Sequence, residues 1–93
     1  MKIMQYENKE KRQLLLNALA STVKELRTQK DKSISLISNE LNVSKSIWSD
    51  VEMGKSDLQF TTLWRIAEAL EIPPQKLMII VGEKLPEGFG FIE

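Results

Sequence analysis

The stretch from Ser33 to Lys55, SISLISNELNVSKSIWSDVEMGK, constrains the fold more than any other part of the chain. Its punctuation is local chemistry. Ser33 is suited to cap a short helix over about 34–41, whose inward residues are Ile34, Ile37, Ser38 and Leu41. Asn42 tolerates the left-handed backbone that ends a helix, and Val43 can plug the turn. Ser44 caps a second helix over about 45–52, with Trp48 and Val51 inward, and Gly54 stops it. Two short helices joined by a tight turn need a small residue at their contact, a positive-φ residue in the turn and an apolar plug. Ser38, Asn42 and Val43 fill those places, although any small helical bundle can contain such a pair.

The flanking segments also read as helices, giving an all-α chain of five. Residues from about 8 to 30 lack Gly and Pro, and Leu16, Leu19, Ala20, Val23 and Leu26 form one apolar stripe. Leu14 and Leu15 lie partly off it, and fraying is expected near Lys30-Asp31-Lys32. A fourth helix over about 60–70 places Leu63, Ile66, Ala67 and Leu70 at core spacing, ahead of Pro73-Pro74. A fifth, from about 74 to 84, contains Leu77-Met78-Ile79-Ile80-Val81 and so has no polar side. The expectation is a helix buried all round, with a partner chain supplying part of the cover. The tail PEGFGFIE is expected as an extended edge segment or a mobile arm. The whole reads as one domain over 1–93, with a core of about 16–84 and a tail, 85–93, available as a dimerisation arm.

Composition removes most chemistry. The chain has no cysteine and no histidine, so thiolate nucleophiles, Ser-His pairs, Cys/His zinc sites and histidine proton shuttles are excluded. No paired carboxylates stand in a site-like setting. The expectation is therefore a binding protein, not an enzyme, with no catalytic residue, metal or cofactor. No apolar run approaches the roughly 18 residues that span a bilayer. The N-terminus lacks a secretory pattern, and the absence of cysteine fits a reducing compartment, so a cytoplasmic protein is expected. With no second ligand-binding domain, no small-molecule ligand is expected either. Formal net charge is zero, but residues 1–32 carry 8 basic and 4 acidic side chains, +4, and residues 33–93 carry 5 and 9, −4. A basic first third suits phosphate or an acidic partner; a solvated helix face is the plainer explanation.

From Val23 to Met78 the sequence resembles the Cro/repressor-type (XRE-type) helix-turn-helix domain. Leu26-Arg27 ends the first helix, LNVS (Leu41 to Ser44) stands where the family has L-G-V-S, and VEMGK (Val51 to Lys55) stands for I-E-x-G-K. LWRIAEALEIPPQKL (Leu63 to Leu77) follows L-x-x-I-A-x-A-L-x-V-x-x-x-x-L. The resemblance implies a five-helix, lambda-repressor-like DNA-binding domain whose second motif helix enters the major groove of double-stranded DNA. Base-facing candidates are then Lys45, Ser46, Ser49 and Asp50: lysine donates to guanine, serine does either, and a carboxylate accepts from the cytosine amine. The plainer alternative for each is an exposed surface residue. Ser33, Ser44 and Lys55 are phosphate candidates, with Lys30 and Lys32 supplying contacts that the second helix lacks. By the same resemblance Arg27 and Glu52 form a partly buried salt bridge.

Three departures from the family pattern stand out. Ile34 occupies a place often held by a phosphate-touching Gln, Met53 replaces the usual Arg or Asn, and Asp50 repels phosphate unless it meets a cytosine amine. Ile47 and Met53 make the motif's outer face partly apolar, which suits thymine methyls or a protein partner. The expected function is a homodimeric, sequence-specific transcriptional regulator. Its dimer surface is expected from Met78, Ile79, Val81, Phe89 and Phe91; the alternative for these residues is a core packed on Leu14 and Leu15. The competing reading of the whole chain is a protein-interaction module on the same fold, antirepressor-like or antitoxin-like.

Overall fold

Helix α1, Lys2–Gln29, forms the long axis of the molecule. Its 28 residues at 1.5 Å each give about 42 Å, against a longest molecular dimension of 44 Å. The computed structural model describes the backbone of residues 2–92 and the side chains of residues 8–92. Met1 and Glu93, the ends of the expected domain, lie outside the described residues. The helix begins six residues before the expected start, because nothing between Lys2 and Asn8 breaks a helix.

Four shorter helices follow: α2, Ile34–Leu41; α3, Lys45–Glu52; α4, Phe60–Ala69; and α5, Pro74–Glu83. α1 packs on α3 and α5, α2 packs on α3 and α4, and α4 packs on α5. The core where they meet is Val23, Ile37, Trp48, Val51, Ile66 and Leu70, so every expected helix face contributes to it except that of α5. None of the described helices is long and apolar enough to cross a membrane.

One termination device recurs four times. After α1, α2, α3 and α4, a residue at positive φ turns the chain, and paired backbone bonds close the last turn. The residues are Asp31 (φ 59°), Asn42 (φ 55°), Gly54 (φ 70°) and Glu71 (φ 56°). After α4, for example, Glu71 N donates to Glu68 O and Ile72 N to Ala67 O, both at 3.0 Å. Only one of the four is glycine. Glu71 adopts a conformation that costs an ordinary residue roughly 1–2 kcal/mol, whereas aspartate, like asparagine, visits it more readily.

Within the motif, Ser38 has a buried hydroxyl with no hydrogen-bond partner among the described residues. The contact between α2 and α3 requires a small side chain there, not a polar one. Ser38→Ala is therefore expected to stabilise the protein by about 1 kcal/mol, since it removes an unsatisfied buried group. A urea midpoint that fails to rise in the Ser38→Ala protein would refute this.

Helix α5 is covered by its own chain on one side only. Leu77 and Val81 face inward, while Met78 and Ile79 are exposed, so its apolar run is only half covered. Val81, expected at a dimer surface, is 4% exposed and belongs to the protein's own core; it lies four residues after Leu77, on the same side of the helix. Lys84 Nζ, just past α5, meets Glu25 Oε2 of α1 at 2.7 Å. The tail is not an extended strand. Phe89 N donates to Pro86 O at 3.0 Å in a tight turn, and the Phe89 and Phe91 rings stack edge to face, 5.7 Å apart.

Candidate nucleic-acid interface

The two motif helices start alike. Ser33 Oγ accepts from Leu36 N, and Ser44 Oγ accepts from Ile47 N, each at 3.1 Å. Both serines are exposed and cap their helices, which leaves further helix N-terminal amides facing outward. Between the helices, Asn42 in the left-handed conformation opens a cleft lined by Ser35, Asn39, Asn42, Ser44 and Lys45.

On α3 the inward face is Trp48 and Val51, which fixes what the outward face can be. Lys45, Ser46 and Asp50 are exposed, and Ser49 is half-buried. Ile47 and Met53, also exposed, lend this face the apolar character noted in the sequence. The loop after α3 is held from α1: Gln13 Nε2 donates to Gly54 O at 2.9 Å and to Asn17 Oδ1 at 2.8 Å. A Cβ at Gly54 would lie 2.5 Å from Asn17 Oδ1, so close approach and positive φ both favour glycine there.

The orientation of α3 is set by a nearly buried charge cluster. Arg27 Nε and Nη2 reach Glu52 Oε2 and Oε1 at 2.6 and 2.9 Å, a two-pronged pairing. The side chains are 12% and 5% exposed. Arg27 Nη1 also donates to Lys32 O at 2.8 Å, and Trp48 Nε1 donates to Glu52 Oε2 at 2.6 Å. The hydrogen bond to Glu52 raises the Arg27 guanidinium above its ordinary pKa, against an opposing effect of burial. The cluster thus joins α1, the turn after it and α3. The role of Trp48 as donor was missed in the sequence; its position four residues before Glu52 was the available signal.

Ion pairing divides the candidate phosphate ligands. Lys30 pairs with Glu71, and Lys32 Nζ lies 2.8 Å from Glu40 Oε1. The hydrogen bond from Lys30, and then its charge, lowers the Glu71 pKa. Both lysines are therefore engaged within the chain, which the +4 count over residues 1–32 concealed: their acidic partners lie beyond residue 32. Lys45, Asp50 and Lys55 have no ion pair among the described residues. The structure places Lys45, Ser46 and Asp50 together on one helix, with Ser49 partly shielded between them. Ser33 and Ser44 lie at the two helix starts and Lys55 follows the stop.

Comparison with known proteins agrees with this architecture. The chain is 36% identical over 59 residues to the HTH-type transcriptional regulator SutR of Escherichia coli strain K12, an alignment covering 63% of this chain and 33% of SutR. The chain therefore spans about a third of the length of that curated relative. Two crystal structures of the clp gene regulator ClgR from Corynebacterium glutamicum share the fold. One superposes with a TM-score of 0.72 at 19% identity, over 77% of this chain and 92% of that one. The other gives 0.69 at 20% identity, over 74% and 73%. Residues 23–77 match the family model HTH_3, Helix-turn-helix, which is more than half of the chain. With its capped helix pair, left-handed Asn42 turn and glycine stop, the chain belongs to the helix-turn-helix family.

Proposed function

We propose that this chain is a sequence-specific DNA-binding transcriptional regulator that acts as a homodimer in the cytoplasm, each copy placing α3 in the major groove. The observation that carries the reading is the outward face of α3, where Lys45, Ser46 and Asp50 are exposed, Lys45 and Asp50 have no ion pair among the described residues, and Trp48 and Val51 anchor the helix beneath them. In this reading Lys45 donates to guanine, Ser46 and Ser49 donate or accept, and Asp50 accepts from a cytosine amine. The helix starts at Ser33 and Ser44, together with Lys55, hold phosphates and set the register. The SutR likeness supports a regulatory role.

The salt dependence of binding tests the reading and counts the cations at work. On random duplex, where no selected guanine engages Lys45, both Lys45 and Lys55 of each copy can turn to the backbone, so a dimer neutralises roughly four phosphates and log K falls with log salt at a slope of about −4. A slope of about −7 would mean that Lys30 and Lys32 leave Glu71 and Glu40 for the backbone. Titrating random duplex DNA from low to moderate salt measures the slope. No binding at the lowest salt would refute the reading and favour the protein-interaction module, for which the exposed Ile47 and Met53 would be the contact surface.

A further inference from the structure

The turn after α3 lacks the anchor that holds its counterparts. At such helix ends the residue following the left-handed one is commonly apolar and packs back on the helix. Val43 after α2 is buried, and Ile72 after α4 packs against the core. After α1 the position is Lys32, whose carbonyl oxygen accepts from Arg27 Nη1. After α3 it is Lys55, exposed and without an ion pair among the described residues. The chain does not pack on the core again until Leu58.

Gln13 of α1 supplies the missing anchor. The peptide joining Gly54 to Lys55 is held on both sides: its N–H donates to Asp50 O at 3.0 Å, and its carbonyl accepts from Gln13 Nε2 at 2.9 Å. A carbonyl can only accept, so Gln13 must present its NH₂ group here. The second hydrogen of that group goes to Asn17 Oδ1 at 2.8 Å, one helical turn along, which fixes the amide's orientation. Gly54 N donates to Val51 O at 3.1 Å. Neither amide of Gly54-Lys55 is therefore left for a phosphate, and the group this turn offers is the Lys55 ammonium. The held peptide sets the point from which that side chain leaves. Arg12 adds a looser tie to the same loop, its Nε 3.5 Å from Asp57 Oδ2 in an exposed pair. Arg12, Gln13 and Asn17 all precede residues 23–77, so the tether comes from outside the helix-turn-helix segment.

We propose, resting on the DNA-binding reading above, that Gln13 is a positioning residue for DNA binding. Through the Gly54 carbonyl it holds Lys55 where the ammonium meets a phosphate, and it acts on DNA only through Lys55. A lysine on an unheld loop gives up backbone freedom when it binds, which weakens binding. On a held peptide that freedom is already lost on folding.

The test uses Gln13→Met, which keeps the side chain's length and the helix propensity but removes the donor. Gln13 is exposed, so the variant is expected to fold. In the protein alone, the backbone order parameters of Lys55 and Ser56 should fall from about 0.85 toward about 0.6, with those of α4 unchanged. With random duplex DNA at low salt, binding should weaken by about tenfold over the two copies of a dimer. The salt slope should stay near about −4, because Lys55 still reaches phosphate in the complex. Lys55→Met should instead lower the slope to about −2. Adding Gln13→Met to Lys55→Met should change affinity by no more than about twofold, since the residue through which Gln13 acts is gone. Equal losses with and without Lys55 overturn the proposal, as does Gln13→Met binding like the parent. Unchanged order parameters at Lys55 and Ser56 overturn it too. A parent that binds no duplex at low salt overturns the DNA reading, and the phosphate role of Lys55 with it. Order parameters that still depended on Gln13 would then show a tether serving the loop alone.

Discussion

Glu52→Gln is expected to destabilise the protein by about 3–5 kcal/mol, the scale of removing one partner from a buried ion pair. The carboxylate is 5% exposed and accepts three hydrogen bonds, two from Arg27 and one from Trp48. Glutamine fills the same space but can accept through one oxygen only. Its amide nitrogen would face a donor, and the Arg27 guanidinium would keep its charge with no counterion and little water. An exposed pair behaves differently. Lys32 and Glu40, 24% and 44% exposed, lie in the class worth about 0–1 kcal/mol. Glu40→Gln is thus the control, expected to move the urea midpoint little. For a domain of this size, 3 kcal/mol corresponds to a fall of roughly 12–24 °C in melting temperature. Equal midpoints for Glu52→Gln and Glu40→Gln would show that burial of the cluster contributes nothing.

What could be read from the sequence and what could not follow from the range of the interactions. Ser33, Asn42, Ser44 and Gly54 set helix ends through atoms two to five residues away, so their identities suffice to locate α2 and α3. Glu71 makes the same turn without a residue type that signals it. Lys30 and Glu71 are 41 residues apart, and Lys32 finds Glu40 only after the turn at Asp31 has formed. A count of charges along the chain therefore overstated the cations free for phosphate. The inward side of helix α5 was unreadable for a different reason. A continuous apolar run carries no periodicity, so it cannot say which side faces the core; Leu77 and Val81 do, and Met78 and Ile79 do not. The Arg27–Glu52 bond spans 25 residues, and family resemblance, not spacing, was the route to it. Phe60 and Trp64 sit one turn apart beside the Leu63 stripe, yet exposure was needed to separate them from core aromatics.

Asp50 is where the two readings of the motif part company. A carboxylate on the outward face of α3, with no ion pair among the described residues, is repelled by every phosphate it approaches, so a DNA reader keeps it only if a base compensates. If Asp50 accepts from a cytosine amine, Asp50→Asn keeps an acceptor oxygen but loses the charge that strengthens this bond in both half-sites. A hydrogen bond to a charged group is worth about 1 kcal/mol more than a neutral one, so over two half-sites the dimer should bind its selected site roughly 30-fold more weakly. Because asparagine pairs with adenine N6 and N7, selection with the Asp50→Asn protein should move that position from cytosine to adenine. Affinity for random duplex should rise over the same comparison, since two negative charges leave the interface. The opposite signs separate specific readout from simple repulsion. A gain in affinity for the selected site as well as for random DNA would mean that Asp50 reads no base. The face formed with Ile47 and Met53 would then be a protein-binding surface on a helix-turn-helix frame, and the DNA-reading role proposed for α3 would fail with it.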